Sequence, residues 1–198
     1  MVIHDFHNNK IIFKDGLLKN IPNLLAKYRI SGYDNTIIIG ENAKVQSGQF
    51  AISGSRNYIT IGANSDIRGF LIRADGMQNC VSIGEDVYFG GGVIHVMEHT
   101  KIQIGNRCLC SHDIDIRSGD GHALYFDDSD KKANAGKNII IGNHVWIGIR
   151  TQILKGVTIA DDCMIGASSM VNKSFMEKNC MIAGHPAKII RKNICWQR

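Results

Sequence analysis

The sequence predicts an all-β chain wound as a solenoid of parallel strands, and three observations carry that prediction. Ile-Gly recurs at long, even spacing through the first half, at Ile39-Gly40, Ile61-Gly62, Ile83-Gly84 and Ile104-Gly105. From Ile141 the beat tightens to six residues, with aliphatics at Ile141, Ile147, Ile153, Ile159, Ile165 and Val171. The composition holds 21 Gly against 2 Pro, which suits a backbone that turns often and regularly and not a disordered Gly/Pro tract.

A six-residue beat fits neither the α-helix nor the heptad, and strand alternation does not explain why every sixth residue is aliphatic. A solenoid does. Each unit is a short strand plus a turn, one aliphatic per unit fills a narrow shared core, and three units close a triangular coil of about eighteen residues. The glycine after each aliphatic is expected at the turn, where it takes φ > 0 without steric cost. The wider spacing between Ile39, Ile61, Ile83 and Ile104 reads as the same coil with one enlarged corner. Its second face falls at Val45, Ile67, Phe89 and Cys110.

In chain order, residues 1–36 form an N-terminal capping segment, with one short helical signal at Gly16 to Tyr28 that Pro22 interrupts. Residues 37–183 are the solenoid, from which a polar loop, 118–138, protrudes. There the beat disappears, and RSGDGHALYFDDSDKKANAGKN supplies no core stripe; loops of this length inside a domain are usually functional. Residues 184–198 are a short C-terminal closing segment, with Gly184 and Pro186 shaping the exit.

The 198 residues suit one cored domain, and the net charge of +5 is scattered, which argues against nucleic-acid binding. The small basic clusters, Lys131-Lys132 and Lys188 to Lys192, fit an anionic small ligand better. Six cysteines without a CxxC pair read as buried fillers of a reduced, cytoplasmic protein. The first residues lack the plan of a signal peptide, and no apolar run is long enough to span a membrane.

The string IIIGNHVWIGIRTQILKGVTIADDCMIGASSMVNKS, followed by AGHPAKIIR, resembles the closing signature of the hexapeptide-repeat transferases. The resemblance covers residues 37 to 192 and is most specific over 139 to 191. It implies a left-handed parallel β-helix, although crossover sterics alone favour the right hand. It implies a homotrimer with active sites between subunits and transfer of an acetyl group from acetyl-CoA to a sugar hydroxyl. The longer, irregular coils before residue 104 point to the branch that modifies surface polysaccharides or their precursors.

The resemblance makes His122, at the root of the loop, the catalytic base. A sugar hydroxyl attacks a thioester poorly unaided; a neutral imidazole, with a pKa near ~6.5, takes the proton as the bond forms, worth about 10²- to 10⁴-fold in rate. A carboxylate on the far ring nitrogen would orient it. Asp120, Asp115 and Asp113 are the local candidates, with Asp120 favoured as orienting partner and Asp113 and Asp115 as acceptor contacts. Trp146 would wall the tunnel where thioester and acceptor meet. Gly148, Ala167, Asn172, Lys173, Lys188 and Arg191 would hold the donor, the cations meeting its phosphates and a backbone N–H near Gly148 the oxyanion.

His95, His99 and His112 suggest a γ-carbonic-anhydrase-like metal site, but their spacing does not match, so packing or subunit contact is expected and no metal. His144 is expected at an exposed turn, and His185 in the closing loop near the donor. The same-class alternative is N-acetylation of an amino-sugar nucleotide. A scaffolding solenoid without catalysis is the other rival.

Overall fold

The computed structural model describes residues 1–15 and 26–197, which hold 23 strands and no helix. Most of the helical signal at Gly16 to Tyr28 lies outside the described residues, and its last residues, Lys27 and Tyr28, open a strand, Lys27–Ser31.

The strands form three sheets in which spatial neighbours are one coil apart in sequence. Each aliphatic of the repeat sits on its counterpart in the next coil through parallel pairing. One column runs Ile39, Ile61, Ile83, Ile104, Ile141, Ile159. A second runs Val45, Ile67, Phe89, Cys110, Ile147, Ile165. The third runs Ile72, Ile94, Ile116, Ile153, Val171. All these side chains are at most 2% exposed. Burying each is worth about 1.5–3 kcal/mol, a stabilisation that no single short unit could hold by itself.

The glycines of the Ile-Gly repeat do something other than expected. None of Gly40, Gly62, Gly84, Gly105, Gly142, Gly148 and Gly166 has positive φ; the left-handed residue lies two positions later, at Asn42, Asn64, Asp86, Arg107, His144, Arg150 and Ser168. What excludes a side chain is the next coil. A Cβ on Gly62 would lie 2.3 Å from the Gly84 carbonyl oxygen, and one on Gly105 2.5 Å from that of Gly142. Corner turns use residues that tolerate φ > 0, and glycine is kept for the close approach between coils.

At another corner, buried asparagines stack as an amide ladder. Asn35 donates to Asn9 (2.8 Å), Asn57 to Asn35 (3.0 Å) and Asn79 to Asn57 (3.0 Å). The ladder passes to Thr100, whose N–H donates to the Asn79 side chain, and then to Ser118, whose hydroxyl accepts from the Thr100 hydroxyl at 2.7 Å. Ser118 is fully buried and is the residue from which the polar loop departs.

Parallel stacking begins at Lys10–Phe13, before the repeat is visible in the sequence, and Val2–His4 closes that sheet by antiparallel pairing. At the other end Met181–Gly184 continues the second sheet and Ala187–Arg191 turns back antiparallel to it. The loop occupies the gap between Ile114–Arg117 and Ile139–Ile141.

Candidate active site

The loop is fixed at its root before it reaches solvent. Lys137 donates its N–H to the Ser118 carbonyl (2.9 Å), which closes the neck. Glu98, on the preceding coil, accepts the Gly136 N–H (2.9 Å) and pairs with Lys132 (2.6 Å). These two partners hold its carboxyl below the usual glutamate range, the Lys132 hydrogen bond contributing most. The chain then passes Gly121, whose φ of +82° only glycine takes freely, and presents His122.

His122 is exposed and borders a cleft of about 930 Å³ that Arg73, His95, Glu98, His99 and Lys132 also line. Its ring makes no hydrogen bond among the described residues, so neither nitrogen is committed to another side chain of this chain. His95, on the floor, is 9% exposed and is held by the Asp75 carboxylate at 2.8 Å. Burial pushes its pKa below that of an ordinary imidazole, even though Asp75 pulls the other way. His99 sits at a corner with φ of 57° and faces the same space.

Asp120 is beside His122 in sequence, but its carboxylate is engaged elsewhere. It accepts from Lys155 Nζ (2.6 Å) and from the Asn134 side chain (2.9 Å). The Lys155 hydrogen bond is the main cause of its depressed pKa. Asp115 lies on the outer face of its strand with Arg117 Nε at 2.7 and 2.9 Å from its two oxygens. Asp113 occupies a corner with φ of 56° and has Arg150 at 3.9 Å. None of the three carboxylates contacts the His122 ring within this chain.

Trp146 belongs to another sheet and does not line the His122 cleft of the same chain. It lies in an outward column with Leu109 and Met164 on neighbouring coils. Trp196 covers it from the C-terminal segment, with ring centres 6.0 Å apart. Trp196 also stacks on His144 at 4.0 Å and donates its indole N–H to the His144 carbonyl. His144 is therefore half-buried instead of exposed, with its Nδ1 on Asp162 at 2.9 Å.

The donor-site candidates are spread along the last coils. Gly148 and Ala167 abut across one coil step, and the Gly148 N–H already donates to the Ile165 carbonyl at 2.8 Å. Asn172, Lys173, Lys188 and Arg191 are exposed. The Lys173 ammonium lies 5.8 Å from the Phe175 ring centre, and Lys188 and Arg191 stand on the closing antiparallel strand. His185 is exposed at the turn between the last two strands. Among the described residues, no three His, Cys, Asp or Glu side chains converge to hold a metal ion, and His112 is exposed at a corner away from His95.

Sequence reading missed Asn134, Lys155, Asp75, Glu98 and Trp196. Glu98 adjoins His99 in sequence, a signal too weak to select it, whereas Asp75 meets His95 only through the pairing of adjacent coils. The approach of Asn134 and Lys155 to the His122 segment depends on how the loop folds back, which no repeat spacing encodes.

A family model described as bacterial transferase hexapeptide (six repeats) matches residues 138–173. The chain is 36% identical over 109 residues to the polysialic acid O-acetyltransferase of Neisseria meningitidis, covering 55% of this chain and 51% of that protein. The corresponding protein of Escherichia coli O1:K1 / APEC is 35% identical over 109 residues, 55% of this chain and 35% of its own length. The chain thus aligns with about half or less of these curated relatives. Among solved structures, the polysialic acid O-acetyltransferase OatWY superposes with a TM-score of 0.83 at 32% identity, over 95% of this chain and 88% of that one. The polySia-specific acetyltransferase NeuO gives 0.71 at 28%, over 88% and 89%. Superposition that extensive carries the hand of the coil with it, and the solenoid is a left-handed β-helix.

Proposed function

The chain belongs to the hexapeptide-repeat transferases, and we propose that it moves an acetyl group from acetyl-CoA to a hydroxyl of a surface polysaccharide. The acceptor class follows the two relatives that act on polysialic acid, so a sialic-acid-bearing polymer is the acceptor to try first. The observation that carries the reading is His122: an unpaired imidazole lining a wide cleft, on a loop anchored from both neighbouring coils.

In this mechanism donor and acceptor meet at His122 in one ternary complex. The imidazole takes the hydroxyl proton as the sugar oxygen bonds to the thioester carbonyl carbon. The carbon–sulfur bond then breaks, and the departing thiolate receives the proton back from the imidazolium. Acetyl ester and free CoA are the products, and no external oxidant or reductant is required. Asp120 remains the proposed orienting group, acting through the side chains of Lys155 and Asn134 that its carboxylate binds. Asp113 and Asp115 are proposed acceptor contacts, and Trp146 a wall of the site. Gly148, Ala167, Asn172, Lys173, Lys188 and Arg191 are proposed for the donor, whose phosphates suit the exposed cations.

The assembly proposed is a homotrimer. Trp146 and His122 lie on different sides of one prism, and a neighbouring copy would bring a second Trp146 towards each cleft. The loop tip supports this, since Leu124, Tyr125 and Phe126 are 55%, 55% and 64% exposed and need cover. The cytoplasm is the proposed location, where acetyl-CoA and unpaired thiols coexist. No helix among the described residues is long and apolar enough to cross a membrane.

The deciding experiment measures CoA release and ester formation with sialic-acid-bearing polysaccharide. The wild type is expected to turn over, and His122→Ala to lose about 10²- to 10⁴-fold in kcat with an unchanged melting temperature. An alanine variant as active as the wild type would refute His122 as the base.

A further inference from the structure

We infer that Asn134 and Lys155 are positioning residues for His122, forming a clamp that locks the loop backbone carrying the imidazole. The inference rests on His122 being the base proposed above.

Asn134 lies on the returning limb of the loop and grips the outgoing limb with its whole amide. Its Oδ1 accepts the Leu124 N–H at 2.7 Å. Its Nδ2 donates to the His122 carbonyl at 2.8 Å and to Asp120 Oδ2 at 2.9 Å. One side chain therefore fixes the residue two before the base, the base's own carbonyl and the residue two after it. The limbs are also joined through the Ala133 N–H, which donates to the Leu124 carbonyl at 2.7 Å.

Lys155 ties this knot to the rigid coil. It follows the strand Gln152–Ile153, and its ammonium donates to Asp120 Oδ2 (2.6 Å) and to the Asn134 carbonyl (2.8 Å). A surface lysine usually waves in water; this one is 21% exposed and spends two donors on the loop. Glu98 holds the same returning limb from the coil before. The outgoing limb has a free joint at Gly121, where no atom lies within 4 Å of a would-be Cβ. Freed of the clamp, the segment would swivel at that joint and carry His122 with it. A base displaced by about an ångström loses most of its value, on the order of 10²-fold.

Lys155→Met, Lys155→Arg, Asn134→Ala and His122→Ala are compared in the intact oligomer, with the polysaccharide that the wild type acetylates. Lys155→Met and Asn134→Ala are expected to lower kcat about 10- to 100-fold while the KM for acetyl-CoA stays within about twofold. Lys155→Arg, which keeps the charge and donors, is expected to recover most of the lost kcat. Lys155 lies outside the core, so its variants report even where Asn134→Ala disturbs the loop. If both clamp variants keep kcat within about twofold while His122→Ala is inactive, the clamp is overturned and the base survives. Loss confined to the KM for acetyl-CoA, or Lys155→Arg as impaired as Lys155→Met, overturns it too. A fully active His122→Ala removes the base and the clamp's purpose together.

Discussion

Burial sets the protonation of His95, and this is a stability statement with a definite sign. Its folded pKa lies below the ordinary 6.5, so the unfolded chain binds a proton that the folded one resists. The stabilisation is complete above about pH 6.5 and fades as pH falls from there towards the folded value. The melting temperature is therefore expected to drop between pH 7.5 and 5.5, and more steeply in the wild type than in His95→Gln; equal slopes would assign the drop to other groups. The thiols give a second check. Cys108, Cys110, Cys163 and Cys180 are buried, with burial pushing the Cys108 thiol up to about 11, whereas Cys195 is exposed. A thiol reagent on the native protein should label Cys195 first and reach those four only on unfolding. Rapid native labelling of all four would contradict their placement in the core.

Among the elements, the coil corners and the ladder explain what a sequence can and cannot show. The aliphatic columns were legible because each must point into one narrow core, so the strand register follows from Ile39, Ile61 and Ile83 alone. The role of the glycines was misassigned because tolerance of φ > 0 and tolerance of a close neighbour leave the same letter in the sequence. Two substitutions separate these causes. Gly62→Ala drives a methyl into the Gly84 carbonyl and should cost about 1–3 kcal/mol or more. Gly121→Ala meets no neighbour and pays only for its left-handed backbone, about 1–2 kcal/mol. Urea denaturation ranks them, and a reversed order would refute the crowding account. Asn57→Ala should cost about 1–3 kcal/mol, because Asn35 and Asn79 lose a partner where water does not reach. The site was legible only in part: His122 marks where the beat stops, but its fastenings come from limbs that meet only when the loop is folded.

For the whole molecule, the outward column of Tyr88, Leu109, Trp146, Met164 and Met181 is half-buried along one flank. With the apolar loop tip, it is the surface we propose for the lateral contacts of the trimer. Light scattering should report three copies, and replacing Tyr125 and Phe126 with serine should lower trimer content and turnover together; a fully active monomer would exclude a shared site. The two ends of the prism behave differently from its flanks. A stack of parallel strands is a template that invites its own continuation, and a second prism could in principle dock on its last rung. Here one sheet at each end finishes on a reversed strand, Val2–His4 at the start and Ala187–Arg191 at the finish. A newcomer continuing the stack would meet two sheets running in one direction and the third in the other, a mismatch that works against end-to-end docking. End-to-end growth would therefore break the parallel pattern in one sheet at each end, which favours the side-by-side association proposed for the trimer over a fibre.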